Sequence, residues 1–151
     1  MIDINDKIPS VYTAHSKYNF YARKLISAYV LESNHLPLNP FTNWDYFMDD
    51  MVDRKLTVRA NNNLIYLSDE LWQFGEISDG CYNEIKLAMM LNKKVRFFTV
   101  GKRIDDINEL EIDNIIFEDD LKEKINIDEF ITELKDYCDK KKGKTYERSK
   151  T

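Results

Sequence analysis

Short apolar runs of strand length alternate along this chain with stretches whose apolar residues recur at helical spacing. The run IPSVYTA (residues 8–14) precedes the helical stripe of YARKLISAYVLES, and NLIYLSD (63–69) and KVRFFTV (94–100) flank another helical stretch. Parallel neighbouring strands need crossover connections, which are usually helical and right-handed. The alternation therefore predicts an α/β protein with a three-layer flavodoxin-like or Rossmann-like fold.

Five parallel strands are predicted, in the order 2-1-3-4-5. HLPL (35–38) is the predicted second strand, NLIYLSD the third and NIIF (114–117) the fifth. In such sheets a ligand binds outside the carboxyl ends of the strands, where the winding reverses between strands one and three. The order therefore predicts a crevice beside the segment 12–16, Asp69 and the helix that contains Glu84.

The length and the charge distribution predict one acidic domain with a basic tail. A chain of 151 residues suits one domain, which we place at residues 1–138. The last thirteen residues carry +4 of a total of −5, which leaves −9 on that domain. We expect 139–151 to be a disordered tail, and an acidic domain does not favour nucleic acid as a partner.

Cofactor and metal signatures are absent from the sequence. The two cysteines and two histidines are too few for a zinc site or a disulfide framework, and neither GxGxxG nor a P-loop motif occurs. We therefore expect no metal and no cofactor. No long apolar run and no leader-like start is present, so we predict a cytoplasmic protein that does not contact a membrane.

Glu84 lies on a helical stripe that otherwise faces a core. Leu87, Ala88 and Leu91 follow it three, four and seven positions later. Two interpretations remain open on pattern alone. The carboxylate either points into the ligand crevice, or it lies at the rim and pairs with a lysine.

Other side chains near the same crevice suit an anionic or sugar ligand. Ser78 is a good helix cap, and Gly80 lets a ligand approach the first amides of the helix. Asp69, at the end of the predicted third strand, would supply a second carboxylate. Cleavage of a glycosidic bond uses such a pair, although Asp69 is equally suited to forming a turn.

Aromatic residues gather in the loops assigned to the same sheet edge. Trp72 and Phe74 precede the Glu84 helix, and Phe41 follows the second strand. Stacking between such rings stabilises a flat heterocycle by about 1–3 kcal/mol per base. We predict that these three rings contact the ligand, whereas other aromatic residues at helix starts suit local packing.

The segment YLSDELWQFGEISDGCYNEIKLAMMLNKKVRFF resembles the core of the nucleoside 2-deoxyribosyltransferase-like superfamily. The shared motif is S-x-G-x-x-x-E at the start of a helix, here Ser78, Gly80 and Glu84. The resemblance implies that Glu84 is a nucleophile toward the anomeric carbon of a sugar. VYTAHS is similar to the family segment YF(G/C)GS, which implies that Tyr12 orients Glu84.

The same resemblance, which spans roughly residues 8–101, implies further roles. Ser16 and Ser78 would hold a 5′-phosphate, and Asp69 would lie near the nucleobase. The implied activity is cleavage or transfer of the N-glycosidic bond of a nucleoside or nucleoside 5′-monophosphate. The implied assembly is a homo-oligomer. Two alternatives stay open: a non-catalytic nucleotide-sensing module of a bacterial or phage system, and a protein-interaction scaffold.

Overall fold

The computed structural model contains one parallel sheet of four strands with helices on both faces. It describes residues 2–150, and the side chains of all of these except 46, 47 and 144–150. The sheet order is β2-β1-β3-β4. The strands are β1 (Ser10–His15), β2 (Leu36–Leu38), β3 (Glu70–Phe74) and β4 (Lys94–Phe98).

Six α-helices occur in the described part of the chain, together with short 3-10 turns. None of these helices is both long enough and apolar enough to cross a membrane. The helices are α1 (Arg23–Glu32), α2 (Pro40–Asn43), α3 (Arg54–Leu67), α4 (Asp79–Met90), α5 (Asp119–Lys122) and α6 (Ile127–Lys150).

The predicted fifth strand, NIIF, is not a strand in the structure. A 3-10 turn covers Ile112–Asn114, and Phe117 makes only an isolated bridge to Ile77. Ile77 donates to the carbonyl of Ile116 at 2.9 Å and accepts from Glu118 at 3.0 Å. These two bonds hold the segment against the loop before α4, so that β4 is the last strand of the described sheet.

The predicted third strand is also wrong, because the sheet uses the residues that follow it. NLIYLSD forms the end of α3, where Leu64 and Ile65 are buried while Tyr66 and Leu67 are 55% and 75% exposed. An apolar run of this length does not distinguish a strand from a helix by periodicity. Helix α3, to which this run belongs, begins at Arg54.

The shift of β3 moves two predicted ligand contacts into the core. Trp72 and Phe74 are fully buried, with 0% exposure. They pack with Val11 and Phe98 against α1 on one face of the sheet. The prediction that Trp72 and Phe74 contact the ligand is therefore corrected, since both side chains belong to the sheet interior.

The opposite face of the sheet carries Tyr12, Ala14 and Leu71. They form the larger core cluster with buried residues of α3, α4 and α6. Successive side chains of a strand alternate between faces, so Tyr12 in β1 and Gln73 in β3 share this face. The candidate site is built on it.

Helix α6 continues beyond Asp139, where the sequence predicted a disordered tail. Its backbone is helical to Lys150. Tyr137 donates to the carbonyl of Lys93, and Lys141 donates to that of Asn92. Lysine, glutamate and arginine are good helix formers, and these bonds tie the helix to the start of β4.

Candidate active site

A hydrogen bond joins Tyr12 in β1 to Glu84 in α4. The phenol of Tyr12 donates to Oε2 of Glu84. Ser78 starts α4 by accepting from the backbone amide of Cys81, which fixes the phase of the helix. Cys81 and Ala88, on the same stripe as Glu84, are buried, so the helix turns the carboxylate toward the sheet.

Burial controls the titration of this pair. It raises the pKa of Glu84 to about 7, and the hydrogen bond from Tyr12 lowers the pKa by less. The pKa of Tyr12 is raised well above its ordinary value, first by burial and then by the charge of Glu84. Near neutral pH the pair therefore consists of a protonated phenol and a carboxyl group that is partly ionised.

Glu84 has no cationic partner among the described residues. No ion pair includes it, and Tyr12 is its hydrogen-bond partner. The residue as a whole is half-buried. The pattern expected for a rim carboxylate paired with a lysine is thus not what the structure shows.

Cys81, one turn before Glu84, does not supply a nucleophile. Its side chain is 1% exposed, and burial raises the pKa of the thiol to about 12. A thiolate is the reactive form of cysteine, so Cys81 acts as a small core residue beside Glu84.

The two serines of the proposed phosphate site both cap helical segments. Ser16 accepts from the amide of Tyr18 at the start of a 3-10 turn, and Ser78 caps α4. A hydroxyl that accepts one bond can still donate another. A Cβ on Gly80 would meet only Ser78 Oγ, at 4.0 Å, so the space beside the first turn of α4 is open. The contacts of Ser16, Ser78 and Gly80 with a ligand stay predictions.

Gly75 forms the sharp turn between β3 and α4. Its φ is +75°, and an added Cβ would lie 2.5 Å from the Asn19 side chain and 2.9 Å from Val100. Only glycine fits such a position without strain. The turn directs the chain from the carboxyl end of β3 toward Ser78.

Sequence reasoning missed Gln73, which lies beneath this turn. Its Nε2 is within 3.3–3.4 Å of the carbonyls of Phe74, Gly75 and Glu76. Its Oε1 is buried and has no hydrogen-bond partner among the described residues. The strand alternation would have placed Gln73 on the same face as Tyr12 if β3 had been assigned correctly.

His15 and Phe41 meet at the carboxyl ends of β1 and β2. Their ring centroids are 4.8 Å apart. His15 Nδ1 lies 3.0 Å from the Ser16 carbonyl and Nε2 lies 3.0 Å from Asn39 Nδ2, so Nδ1 donates and Nε2 accepts. Burial lowers the pKa of His15, which favours the neutral imidazole. Phe41 thus remains at the edge where the sequence placed it, and its ligand contact is still a prediction.

Asp69 lies at the amino ends of the strands, opposite the carboxyl ends where His15 and Phe41 meet. It precedes β3, and its carboxylate accepts from the Ser10 amide at 2.8 Å and from the Ser10 hydroxyl at 3.2 Å. Asp69 was expected beside Glu84 because NLIYLSD was assigned as a strand. That placement is corrected: Asp69 joins the starts of β1 and β3.

The sheet, the helices and this carboxyl–phenol pair define an α/β protein with a parallel sheet and an acidic residue held against it. No group of three or more potential metal ligands occurs in the described part of the chain. The chain belongs to the family described as Domain of unknown function (DUF7768), whose model matches residues 7–98.

Comparison with curated proteins finds no match. Among solved structures, the chain is similar to a CMP N-glycosidase, BcmB, from Clostridium botulinum, at 15% identity and a TM-score of 0.44. The similarity covers 83% of this chain and 98% of that one.

Proposed function

We propose that the protein cleaves or transfers the N-glycosidic bond of a nucleoside or nucleoside 5′-monophosphate, with Glu84 as the nucleophile. The observation that carries the proposal is a carboxyl group on a half-buried residue that is bonded to a buried phenol and, among the described residues, paired with no cation. The S-x-G-x-x-x-E resemblance supplies the substrate class.

The reaction would take a retaining, two-step course. A carboxylate oxygen of Glu84 attacks the anomeric carbon as the bond to the base breaks, which gives a glycosyl ester. Water then releases the sugar, or a second base accepts it. The Tyr12 phenol binds the ionised carboxylate and orients it. Asp69 lies at the amino ends of the strands, so it is not placed to protonate the departing base. The base therefore takes its proton from water.

Nucleotide sensing without turnover is the second candidate. The observation that favours it is that Asp69, the second carboxylate expected beside Glu84, lies at the amino ends of the strands and accepts from Ser10. A sensing module needs the pocket but no general acid. The parent protein should then bind the ligand without turnover, whereas the enzymatic proposal requires turnover by the parent protein and its loss in Glu84→Gln.

The test is a chromatographic assay of free-base release from ribo- and deoxyribonucleosides and their 5′-monophosphates. We expect release by the parent protein and by Glu129→Gln, a matched change on the exposed surface of α6, and none by Glu84→Gln. Mass spectrometry after incubation with a 2′-fluoro nucleoside should find a glycosyl ester on Glu84. Binding of the panel without release of any base would replace the enzymatic proposal by the sensing one.

The expected homo-oligomer is likewise a proposal. Sedimentation velocity over a range of protein concentrations measures it directly. If the protein is a monomer at every concentration, no neighbouring subunit contributes residues to the pocket.

A further inference from the structure

Trp44 lies on the same side of the sheet as the Tyr12–Glu84 pair. It follows α2, and its half-buried side chain packs against the core cluster that contains Tyr12. Its backbone amide donates to the carbonyl of Pro40 at 3.1 Å. The other tryptophan, Trp72, is fully buried on the opposite face of the sheet. Trp44 is therefore the tryptophan whose position allows contact with a ligand beside Glu84.

A hydrogen bond fixes the orientation of the Trp44 ring. Its indole Nε1 donates to Oδ1 of Asn61 in α3, at 3.0 Å. An indole has one N–H and no acceptor, so this bond uses its polar group. What the ring still offers to a ligand is its face and its hydrocarbon edge. A ring that is already held in place also loses little freedom when a ligand stacks on it.

Helices α3 and α4 stand side by side over β1. Both pack against β1 and against each other, and α4 packs against β3 and β4 as well. Helix α3 follows β2, so it lies on the β2 side of α4. The chain passes from α3 into β3 at the amino ends of the strands, and it enters α4 at their carboxyl ends. Both helices therefore run opposite to the strands.

The helical rise places Asn61 and Glu84 at similar heights on the sheet. Asn61 lies about 9 Å from Leu67, the last residue of α3, toward the carboxyl ends of the strands. Glu84 lies about 9 Å from Ser78, the cap of α4, toward the amino ends. Strands of five or six residues span about 16–20 Å, so both residues lie near the middle of the sheet. Trp44, bonded to Asn61, thus lies on the α3 side of the place that Glu84 reaches from α4.

The chemistry of displacement indicates where the nucleobase would lie. A nucleophile attacks the anomeric carbon from the face opposite the leaving group. If Glu84 attacks from the α4 side, the base points away from α4, toward α3 and the segment that follows β2. Trp44 and Asn61 occupy that side.

We propose that Trp44 stacks on the nucleobase of the ligand and that Asn61 is the positioning residue that holds the indole. The inference rests on the function proposed above, because a sugar at Glu84 fixes the side on which the base lies. Every base has a face on which an aromatic ring can stack, so stacking tolerates any base. Trp44 then contributes affinity for each nucleotide without choosing among the bases.

Isothermal titration calorimetry on the full chain tests the contact, with Glu84→Gln as the background that prevents turnover. The ligands are the ribo- and deoxyribonucleoside 5′-monophosphates and, as controls without a base, ribose 5-phosphate and deoxyribose 5-phosphate. Trp44→Leu should weaken the binding of every nucleotide about tenfold and leave that of the sugar phosphates unchanged. Trp44→Phe, which keeps a ring, should retain most of the affinity. Tyr66→Leu removes an exposed ring near the other end of α3 and should change neither.

Indole fluorescence reports the same contact directly. Nucleotide binding should quench the emission of the parent protein, and Trp44→Phe should abolish the quenching while the heat of binding persists. Asn61→Ala frees the indole and should weaken nucleotide binding about threefold. Asn61→Asp keeps an oxygen acceptor for the indole and should restore it. Thermal midpoints of all variants control for folding.

The outcomes separate this inference from the proposed function. Equal losses for nucleotides and sugar phosphates, or nucleotide binding without quenching, would overturn the contact even if the parent protein releases base. Binding that depends on Trp44, with no base release by the parent protein, would support the contact and replace the enzymatic proposal by the sensing one. No binding of any nucleotide would overturn both.

Discussion

Tyr12 and Glu84 are 72 positions apart in the chain, and the phenol of the first donates to the carboxylate of the second. The contact crosses from the middle of β1 to the second turn of α4. It places a group that titrates near neutral pH on the inner side of a helix. Both activity and stability should therefore depend on pH in ways that single substitutions can isolate.

Removing the phenol should raise the pH that the reaction needs. In Tyr12→Phe, Glu84 loses the hydrogen bond that lowers its pKa, so a higher pH is needed to ionise the nucleophile. A hydrogen bond to a charged group of this kind corresponds to about one pH unit. We expect base release at neutral pH to fall roughly fivefold, in line with the smaller ionised fraction, and to recover partly at higher pH.

The pH–rate profiles of the parent and of Tyr12→Phe check this expectation. A loss of this size with an unchanged pH–rate profile would mean that Tyr12 only packs against the ligand. Thermal midpoints of both proteins control for a general loss of folding.

Glu84 should also lower stability above neutral pH. Its pKa is 4.5 in an unfolded chain and about 7 in the fold, so the folded state holds the proton more tightly. Unfolding free energy then falls as the pH rises from about 4.5 to about 7. Glu84→Gln removes this dependence and should gain up to about 3 kcal/mol over the parent across that interval.

Urea denaturation at several pH values measures the difference. It should be smallest near pH 4.5 and constant above pH 7. A difference that does not vary with pH would show that the carboxyl group is ionised throughout, with an ordinary pKa.

Trp72 and Phe41 should respond very differently to truncation. Trp72→Ala opens a cavity in the sheet interior and should cost about 3–5 kcal/mol. Phe41 is only partly buried at the sheet edge, so that Phe41→Ala should cost about 1 kcal/mol. Chemical denaturation compares them. Equal costs would contradict the core position of Trp72.

The carboxylate of Asp69 should matter for stability and not for turnover. Asp69→Ala removes the two bonds to Ser10 and should cost about 1 kcal/mol at neutral pH. Those bonds lower the pKa of Asp69 below 3.8, so their contribution is present above 3.8 and disappears as the pH falls through the folded value. Denaturation at neutral and acidic pH, beside the base-release assay, checks both parts. A large loss of turnover with intact folding would return Asp69 to the site.

The sequence was sufficient for the class of fold, whereas it left the orientation of Glu84 open and assigned the wrong residues to β3. The strand ELWQF contains a glutamate and a glutamine that the structure buries, and it contains no β-branched residue. NLIYLSD has the apolar content of a strand, yet its polar neighbours in α3 complete an amphipathic helix. Tertiary packing decided between the two segments, and local propensity did not.

The same shift explains which site residues were misplaced. The positions of Asp69, Trp72 and Phe74 were predicted relative to a third strand that ended at Asp69, whereas β3 ends five residues later, at Phe74. All three side chains were misplaced for this one reason. Glu84 and Tyr12 were located by a helical stripe and by the first strand, which do not depend on β3. No sequence pattern pointed to Gln73, because the hydrogen bonds of its side chain depend on the turn that follows it.

The parallel pairing of β1 with β3 also determines when the pocket forms during folding. Ser10 and Asp69, whose contact aligns these strands, are 59 positions apart, and distant pairings of this kind close late. Helix α4 can form locally before that closure, but Glu84 then has no phenol beside it. A refolding chain should accordingly regain helical circular dichroism first and ligand binding last.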